Sequence, residues 1–591
     1  MIGDCHTAAL IHRYGSIDWC CLPRFDSDSC FGRLLDWRTG GYFEIRPKIA
    51  CSVHREYVPN SLILVTTFKS GAREAKLIDF FAMRRGGRKH PRRELVRILV
   101  GVRGRMPFTI RCSPRFDFGE VEPWIEKVDD DTTFVAAGSN TGLMVYSELP
   151  LKIEGTHDLC ADVIAVEGES KRVAIQFVPT DELHHSAQKA EDSENLAAHY
   201  DETLLWWEEW ASKIVMPEQV GFGACLVRSA IVLKALTYAP TGAIIAAPTT
   251  SLPEVIGGER NWDYRYSWIR DSVFTVHALS DLGLEAEAEG FRRFIARSAA
   301  GNADDLQVAY GVDGKRRLTE VLLTQVEGWR GSKPVRIGNA AADQYQGDMF
   351  GLVLELTWRW SQRGNSPQAR YWDFLVELVD AAIEKFPEPD SGIWEIRSKP
   401  RHFVHSKVMC WAAVNRGIGL AERYDLKAPL RRWKKAREAM RAEIERRGVD
   451  KRRGIFVQSY GSKEVDAALL LLPTVAFVDY RDARMMRTAD TIRKELAADG
   501  LILRYRTRDG LRGREGVFVP CTFWLVEVLA RQGLTQHARK FFNHASACAN
   551  DLGLFAEEYS VRGRQMLGNF PQGLTHLAHI SAALALTPRP T

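Results

Sequence analysis

No run of about 18 consecutive apolar residues occurs in this 591-residue chain, so no segment is expected to span a membrane. Charge of one sign is also missing. The 80 Lys and Arg stand against 75 Asp and Glu, and a net charge of +5 gives a nucleic-acid partner no support. Cysteines number eleven, an odd count, with no CxxC pair and no Cys/His ladder, which argues against a zinc site and a disulfide framework and favours a reducing compartment. GxGxxG, GxxxxGK[ST] and HExxH are absent, removing motif support for nucleotide and zinc-protease chemistry. The opening MIGDCHTAAL has no basic segment followed by an apolar stretch, so a cytoplasmic location is expected.

What is present is an ordinary globular composition, 45% hydrophobic and 26% charged, in a chain long enough for two domains. The first part reads as β structure. Short alternating or β-branched runs such as Ser61 to Phe68, Glu94 to Val102 and Arg172 to Val178 recur between turn signals, which suggests a large antiparallel sandwich over 1–185. Residues 186–216 read as a helical linker whose Trp206, Trp207 and Trp210 serve packing. From 217 to 591 a 3.6-residue period predicts twelve helices, near 220–240, 266–282, 284–300, 341–361, 368–386, 403–424, 428–447, 461–472, 486–498, 520–533, 535–549 and 572–587. Six hairpin pairs closed into a toroid account for that count. The basic run Arg84 to Arg93, with Gly and Pro inside it, reads as a solvated loop.

Three segments carry chemistry. Residues 261–271, NWDYRYSWIRD, hold four aromatic and four charged side chains, a mixture suited to the apolar faces and hydroxyl rims of a sugar. A helix start with an ion pair explains Arg270 and Asp271 equally well at this level. Trp394-Glu395 follows a Pro-containing break, and desolvation beside the indole would raise a carboxyl toward general-acid duty. Pairing of Glu395 with Arg397 on an exposed loop is the plain alternative. Glu557-Glu558 lies in a small, apolar stretch where an extended backbone would let only one carboxylate face a bowl. Lys407, opening the helix near 403–424, is a candidate substrate contact, although a surface lysine is the usual outcome.

Taken in order, IGDCHTAALIHRYGSIDWCCLPRFDSDSCFGRLLD, NWDYRYSWIRDS, PVRIGNAAADQYQGDMFG, GIWEIR with HSKVMCWAAVNRG, EGVFVPCTFWLVEVLA and NDLGLFAEEYS resemble glycoside hydrolase family 15, which holds glucoamylases and prokaryotic trehalases. The resemblance covers nearly the whole chain. It implies an N-terminal antiparallel β-sandwich followed by an (α/α)6 barrel, with Glu395 as general acid and Glu557 as general base. It also implies that Trp268, Arg270 and Asp271 form the wall of the subsite for the non-reducing glucose, that Tyr264 stands where the family has an active-site tyrosine, and that Trp394, before the acid, also contacts substrate. Ile396 stands where fungal-type glucoamylases carry a second carboxylate, so the subsite for the leaving sugar must differ.

The implied activity is an inverting, exo-acting hydrolysis of an α-glucoside, releasing β-glucose from trehalose or a short α-glucan. Glucoamylase or isomalto-oligosaccharide glucohydrolase activity, an inverting phosphorylase and a non-catalytic carbohydrate-binding protein are the alternatives. This chemistry requires no metal or organic cofactor. The expected partner is the α-glucoside alone, with no nucleic acid and no membrane, and self-assembly is left open.

Overall fold

The computed structural model describes all residues except 129–131, 184–195, 218–220, 300–301, 304–305, 508, 512, 514 and 588–591. The N-terminal part consists of two eight-stranded antiparallel sheets. The first runs, in spatial order, Ile2–Gly3, Ala8–Ile11, Ser16–Cys21, Tyr42–Pro47, Arg105–Ser113, Asp158–Val166 and Lys152–Glu154, with Ser29–Phe31 paired to Ser16–Cys21. The second runs Trp124–Lys127, Thr133–Gly138, Thr141–Ser147, Ser170–Pro179, Glu94–Arg103, Arg73–Phe81, Leu64–Ser70 and Ser52–Tyr57. Period-two alternation puts Met106, Phe108, Ile110 and Cys112 on one buried face. Phe108 meets Phe68 of the opposite sheet edge to face, their ring centroids 5.7 Å apart. Arg97, fully buried, pairs with Asp79 at 2.7 Å and donates across the sandwich to the carbonyls of Phe43 and Gly15. A buried pair of this kind fixes how the sheets sit more than it adds stability.

Helix α1 (Leu196–Ala211) follows, with Trp207 and Trp210 buried; the expected start of the linker, at 186, lies outside the described residues. Arg85 and Arg92 of the basic run pair with Glu209 and Glu202 of α1. The remaining helices are α2 (Gly223–Ala235), α3 (Ile269–Asp281), α4 (Glu285–Ser298), α5 (Asp348–Gln362), α6 (Ala369–Lys385), α7 (Val404–Tyr424), α8 (Leu430–Arg447), α9 (Ala483–Glu495), α10 (Val519–Arg531), α11 (Thr535–Ser546) and α12 (Gly573–Leu586), with a 3-10 helix at Ala467–Val475.

Packing closes α3, α5, α7, the 3-10 helix, α10 and α12 into an inner ring, and the other six lie outside it. This is the six-hairpin toroid. Two starts differ from the periodicity by more than three residues. The helix expected at 341–361 begins at Asp348, because Asn339 caps a separate short turn, Ala340–Asp343. The one expected at 461–472 runs Ala467–Val475 as a 3-10 helix. Pro473 inside it has no N–H to give an α-helical bond.

The sandwich braces one end of the barrel. Trp19 Nε1 donates to the Pro248 carbonyl at 2.7 Å, and Arg265, doubly bonded to Asp263, reaches the Ser27 carbonyl at 2.6 Å. Both contacts hold the loop that leads into α3.

Candidate active site

Five of the loops that enter inner helices converge on one pocket. Glu254, Trp262, Tyr264, Trp268, Arg270 and Asp271 come from the loop and first turn of α3. Asn339 precedes α5, Ile393 to Arg397 precede α7, Arg504, Tyr505, Asp509, Leu511 and Phe518 precede α10, and Glu557 and Gln572 precede α12. Lys407 does not reach this pocket, which corrects its expected role as a substrate contact. Its buried ammonium donates to the carbonyls of Phe386 and Glu388, just past the C-terminus of α6, where carbonyls lack helical partners.

Glu395 sits at a tight turn after Gly392, with its own φ at +56°, a left-handed conformation that a glutamate adopts only under constraint. The turn sends successive side chains apart. Trp394 packs among Tyr505, Phe518 and Trp524 and donates Nε1 to Asp466 at 3.1 Å. Glu395 meets Arg270 instead, Nη1 to Oε1 at 3.1 Å. Arg397 is not its partner: that guanidinium lies over the Trp262 ring at 4.7 Å. Arg270 also bonds Asp271 Oδ2 at 3.0 Å and the Ile393 carbonyl at 2.6 Å, tying the α3 entrance to the turn that carries Glu395.

Glu557 and Glu558 part as alternation requires. Glu558 belongs to strand Glu558–Ser560, accepts from the Gly516 N–H at 2.9 Å and meets Arg504 at 3.2 Å. Glu557 turns into the pocket, 2% exposed, and Tyr264 donates its hydroxyl proton to Oε1 at 2.8 Å. Burial, reinforced by Glu254, holds the Glu557 carboxyl well above the usual carboxylate range, while Arg504 and the Tyr264 hydrogen bond pull it back. Such a group, once ionised, is a stronger base than a solvated glutamate.

Tyr264→Phe removes a bond that favours ionised Glu557. The acidic limb of a kcat/KM–pH profile should therefore move to higher pH, and Glu254→Gln should move it lower. Unmoved limbs in both variants would show that another group titrates there.

Sequence reading missed Arg504. Its Nη2 contacts Glu254 Oε2 at 3.0 Å, Glu558 Oε1 at 3.2 Å and Glu515 Oε2. Those three carboxylates offer atoms within 4.8 Å of one another, spacing that could suit a cation, and the guanidinium already lies among them. Arg260, Asp509 and Tyr505 were also missed. Arg260 and Asp509 form a two-bond pair at 2.7 and 2.9 Å, and Tyr505 donates to Asp509 at 2.8 Å. These residues stand in no motif, and only the fold turns Arg504, Tyr505 and Asp509 inward. Three buried polar atoms of the wall, Trp268 Nε1, Glu557 Oε2 and Gln572 Oε1, lack a partner among the described residues. A polar ligand held in the pocket would supply partners to all three.

The sequence pattern of glycosyl hydrolases family 15 matches residues 223–584, and that of a trehalase-like N-terminal domain matches 1–201. The chain belongs to glycosyl hydrolases family 15. It is an O-glycosyl hydrolase. It is 39% identical to a trehalase of Mycolicibacterium smegmatis, over 99% of this chain and 90% of that one. It is 38% identical to a trehalase of Thermoplasma volcanium, over 98% and 92%. In structure it is similar to a bacterial glucoamylase complexed with acarbose, with a TM-score of 0.70, 12% identity, and coverage of 97% of this chain and 90% of that one. At that identity the likeness shows the fold alone, a helical barrel with an N-terminal sandwich. No helix among the described residues is long and apolar enough to cross a membrane.

Gly568 bears on the placement of Glu557. A Cβ there would stand 2.5 Å from Glu557 Oε2 and 2.9 Å from its Cβ, at a φ of +73°. Gly568→Ala should lower kcat by about 100-fold through displacement of the carboxylate, with circular dichroism unchanged. Wild-type turnover in that variant would mean that the placement of Glu557 is not critical.

Proposed function

We propose that the protein hydrolyses trehalose, with inversion at the attacked anomeric carbon. The observation that carries the reading is likeness to proteins named trehalase along the whole chain, sandwich included, rather than in the barrel alone. The pocket is consistent with it: a buried, mixed aromatic and charged wall that includes the carboxylates of Glu395 and Glu557 and three unpartnered polar atoms.

One glucose rests against Trp268 and Tyr264, with Arg270 and Asp271 binding its hydroxyls. Glu395 gives a proton to the bridging oxygen as the C1–O bond breaks. Glu557 takes a proton from a water whose oxygen bonds to C1 from the opposite face. Glu395 is then ionised and Glu557 protonated, and exchange with solvent resets both. Ile396, Leu511, Tyr505 and the Arg260–Asp509 pair form the remaining wall, where the second glucose leaves.

Trehalose gives this mechanism a direct signature. The attacked ring becomes β-glucose and the leaving ring keeps its α configuration, so proton NMR of the first turnovers should show equal α and β anomers. Only α-glucose at early times would rule out inversion. A panel of trehalose, maltose, isomaltose, nigerose and soluble starch tests the substrate. The highest kcat/KM is expected on trehalose, and a preference for maltose or starch would replace this reading with a glucoamylase.

A further inference from the structure

The outer face of the first sheet carries a groove of about 460 Å³ that the hydrolytic pocket does not share. Strand alternation builds it. Ile17, Phe43, Ile45, Phe108 and Ile110 point into the sandwich, so Ser16, Asp18, Tyr42, Glu44, Thr109 and Arg111 point out and line the groove. Trp37 stands over it, 67% exposed, and Tyr14 flanks it, 43% exposed.

The exposed indole is not on a loose loop. Asp36 is 5% exposed and accepts from the N–H groups of Arg38 and Thr39 at 3.0 Å and of Glu327, in the barrel half, at 3.0 Å. The same turn closes against Gly32, with no room for a Cβ at Gly40, which would stand 2.4 Å from the Gly32 carbonyl oxygen. Arg33 packs its guanidinium against both rings, 3.5 Å from the Tyr42 centroid and 4.6 Å from that of Trp37. It also bonds Asp18 at 2.9 Å and Ser16 at 2.5 Å. The Glu44 carboxylate, in a side chain 12% exposed, lies 3.7 Å from Arg33 and 3.6 Å from Arg46, beyond hydrogen-bond range of either.

A rigid aromatic face beside acceptors not yet fully used is the chemistry that binds a pyranose. C–H groups of the ring lie on the indole, and hydroxyls at its rim meet carboxylate and guanidinium. The charges of Arg33 and Arg46 are balanced by Asp18 and Glu44, which favours an uncharged polyol over an anion. We propose that this groove is a second carbohydrate site, taking a glucopyranose unit of a neutral glucoside on Trp37. It holds sugar without cleaving it, and it does not depend on which glucoside the barrel hydrolyses.

Calorimetric titration of trehalose, and separately of maltose, into the full-length Glu395→Gln protein tests the site without turnover. Trp37→Ala in that background should remove one equivalent of bound sugar, or weaken its binding at least about tenfold. Glu44→Gln should weaken the same equivalent. Because Trp37 is outside the core, the melting temperature should not change, and Trp37→Ala alone should hydrolyse its substrate with unaltered kcat. Loss of that equivalent supports the proposal whether or not the barrel pocket binds trehalose, so the two readings fail separately. Unchanged stoichiometry and affinity in Trp37→Ala would overturn it. So would a variant that shifts only the sedimentation coefficient, which would make the face a contact between copies of the chain.

Discussion

Glu557→Gln is expected to lower kcat on trehalose by about 1000-fold or more while leaving the melting temperature at neutral pH no lower than that of the parent. The two halves of the expectation have one cause. Burial beside Glu254 raises the Glu557 carboxyl in the folded protein above its unfolded value. A carboxyl raised in this way supports folding at pH values below its unfolded pKa, and that support is lost as pH rises through the folded pKa. Ionised Glu557 is thus a cost that the fold carries above that range. The amide keeps the shape and can still accept from Tyr264 but has no charge to desolvate, and it cannot take a proton from water. Thermal melts from pH 5 to 9 should show the variant gaining on the parent toward alkaline pH. Retained turnover would remove Glu557 from the role of base. Glu395→Gln should cost a similar factor by a different route. KM should change little, and loss should be smaller on an aryl glucoside whose leaving group needs no proton.

Arg504→Met is expected to lose activity and about 3–5 kcal/mol of stability, because one guanidinium serves the two buried carboxylates of Glu254 and Glu558 and the partly buried Glu515. Removing it leaves Glu254, Glu515 and Glu558 facing one another with little solvent. Glu254 is already pushed up to about 7 with the arginine in place. Without it Glu254 and Glu558 rise further, and each can relieve the repulsion by binding a proton. The destabilisation should therefore be largest at alkaline pH and shrink toward pH 5, as read by melting temperature across that range. Arg504→Lys should recover only part of it, since one ammonium cannot reproduce the fork that meets several oxygens. A pH-independent loss would mean that Arg504 acts through packing, against Phe518 at 4.9 Å, rather than through charge.

The sequence alone was enough for the β-then-α order and for most helix positions. Both are local: alternation at Arg105–Ser113 and the 3.6-residue period from α2 to α12 are printed in consecutive residues. The segment from Tyr264 to Asp271 also stood out by its mixture of aromatic and charged side chains, whereas Trp394, Glu395 and Glu557, ambiguous singly, were singled out by the ordered resemblance to family 15. Three things required the tertiary structure. The partner of Glu395 is Arg270, 125 positions away, and not nearby Arg397, because a left-handed turn reverses the direction of one side chain. Lys407 is spent on the end of α6, a neighbour that no spacing reveals. Arg504 and the Arg260–Asp509 pair belong to no recognised segment, and only ring closure brings residues some 250 positions apart within 3 Å. Periodicity reports which face of an element is buried, whereas charge pairing depends on which distant element covers it, and only the closed barrel decides that.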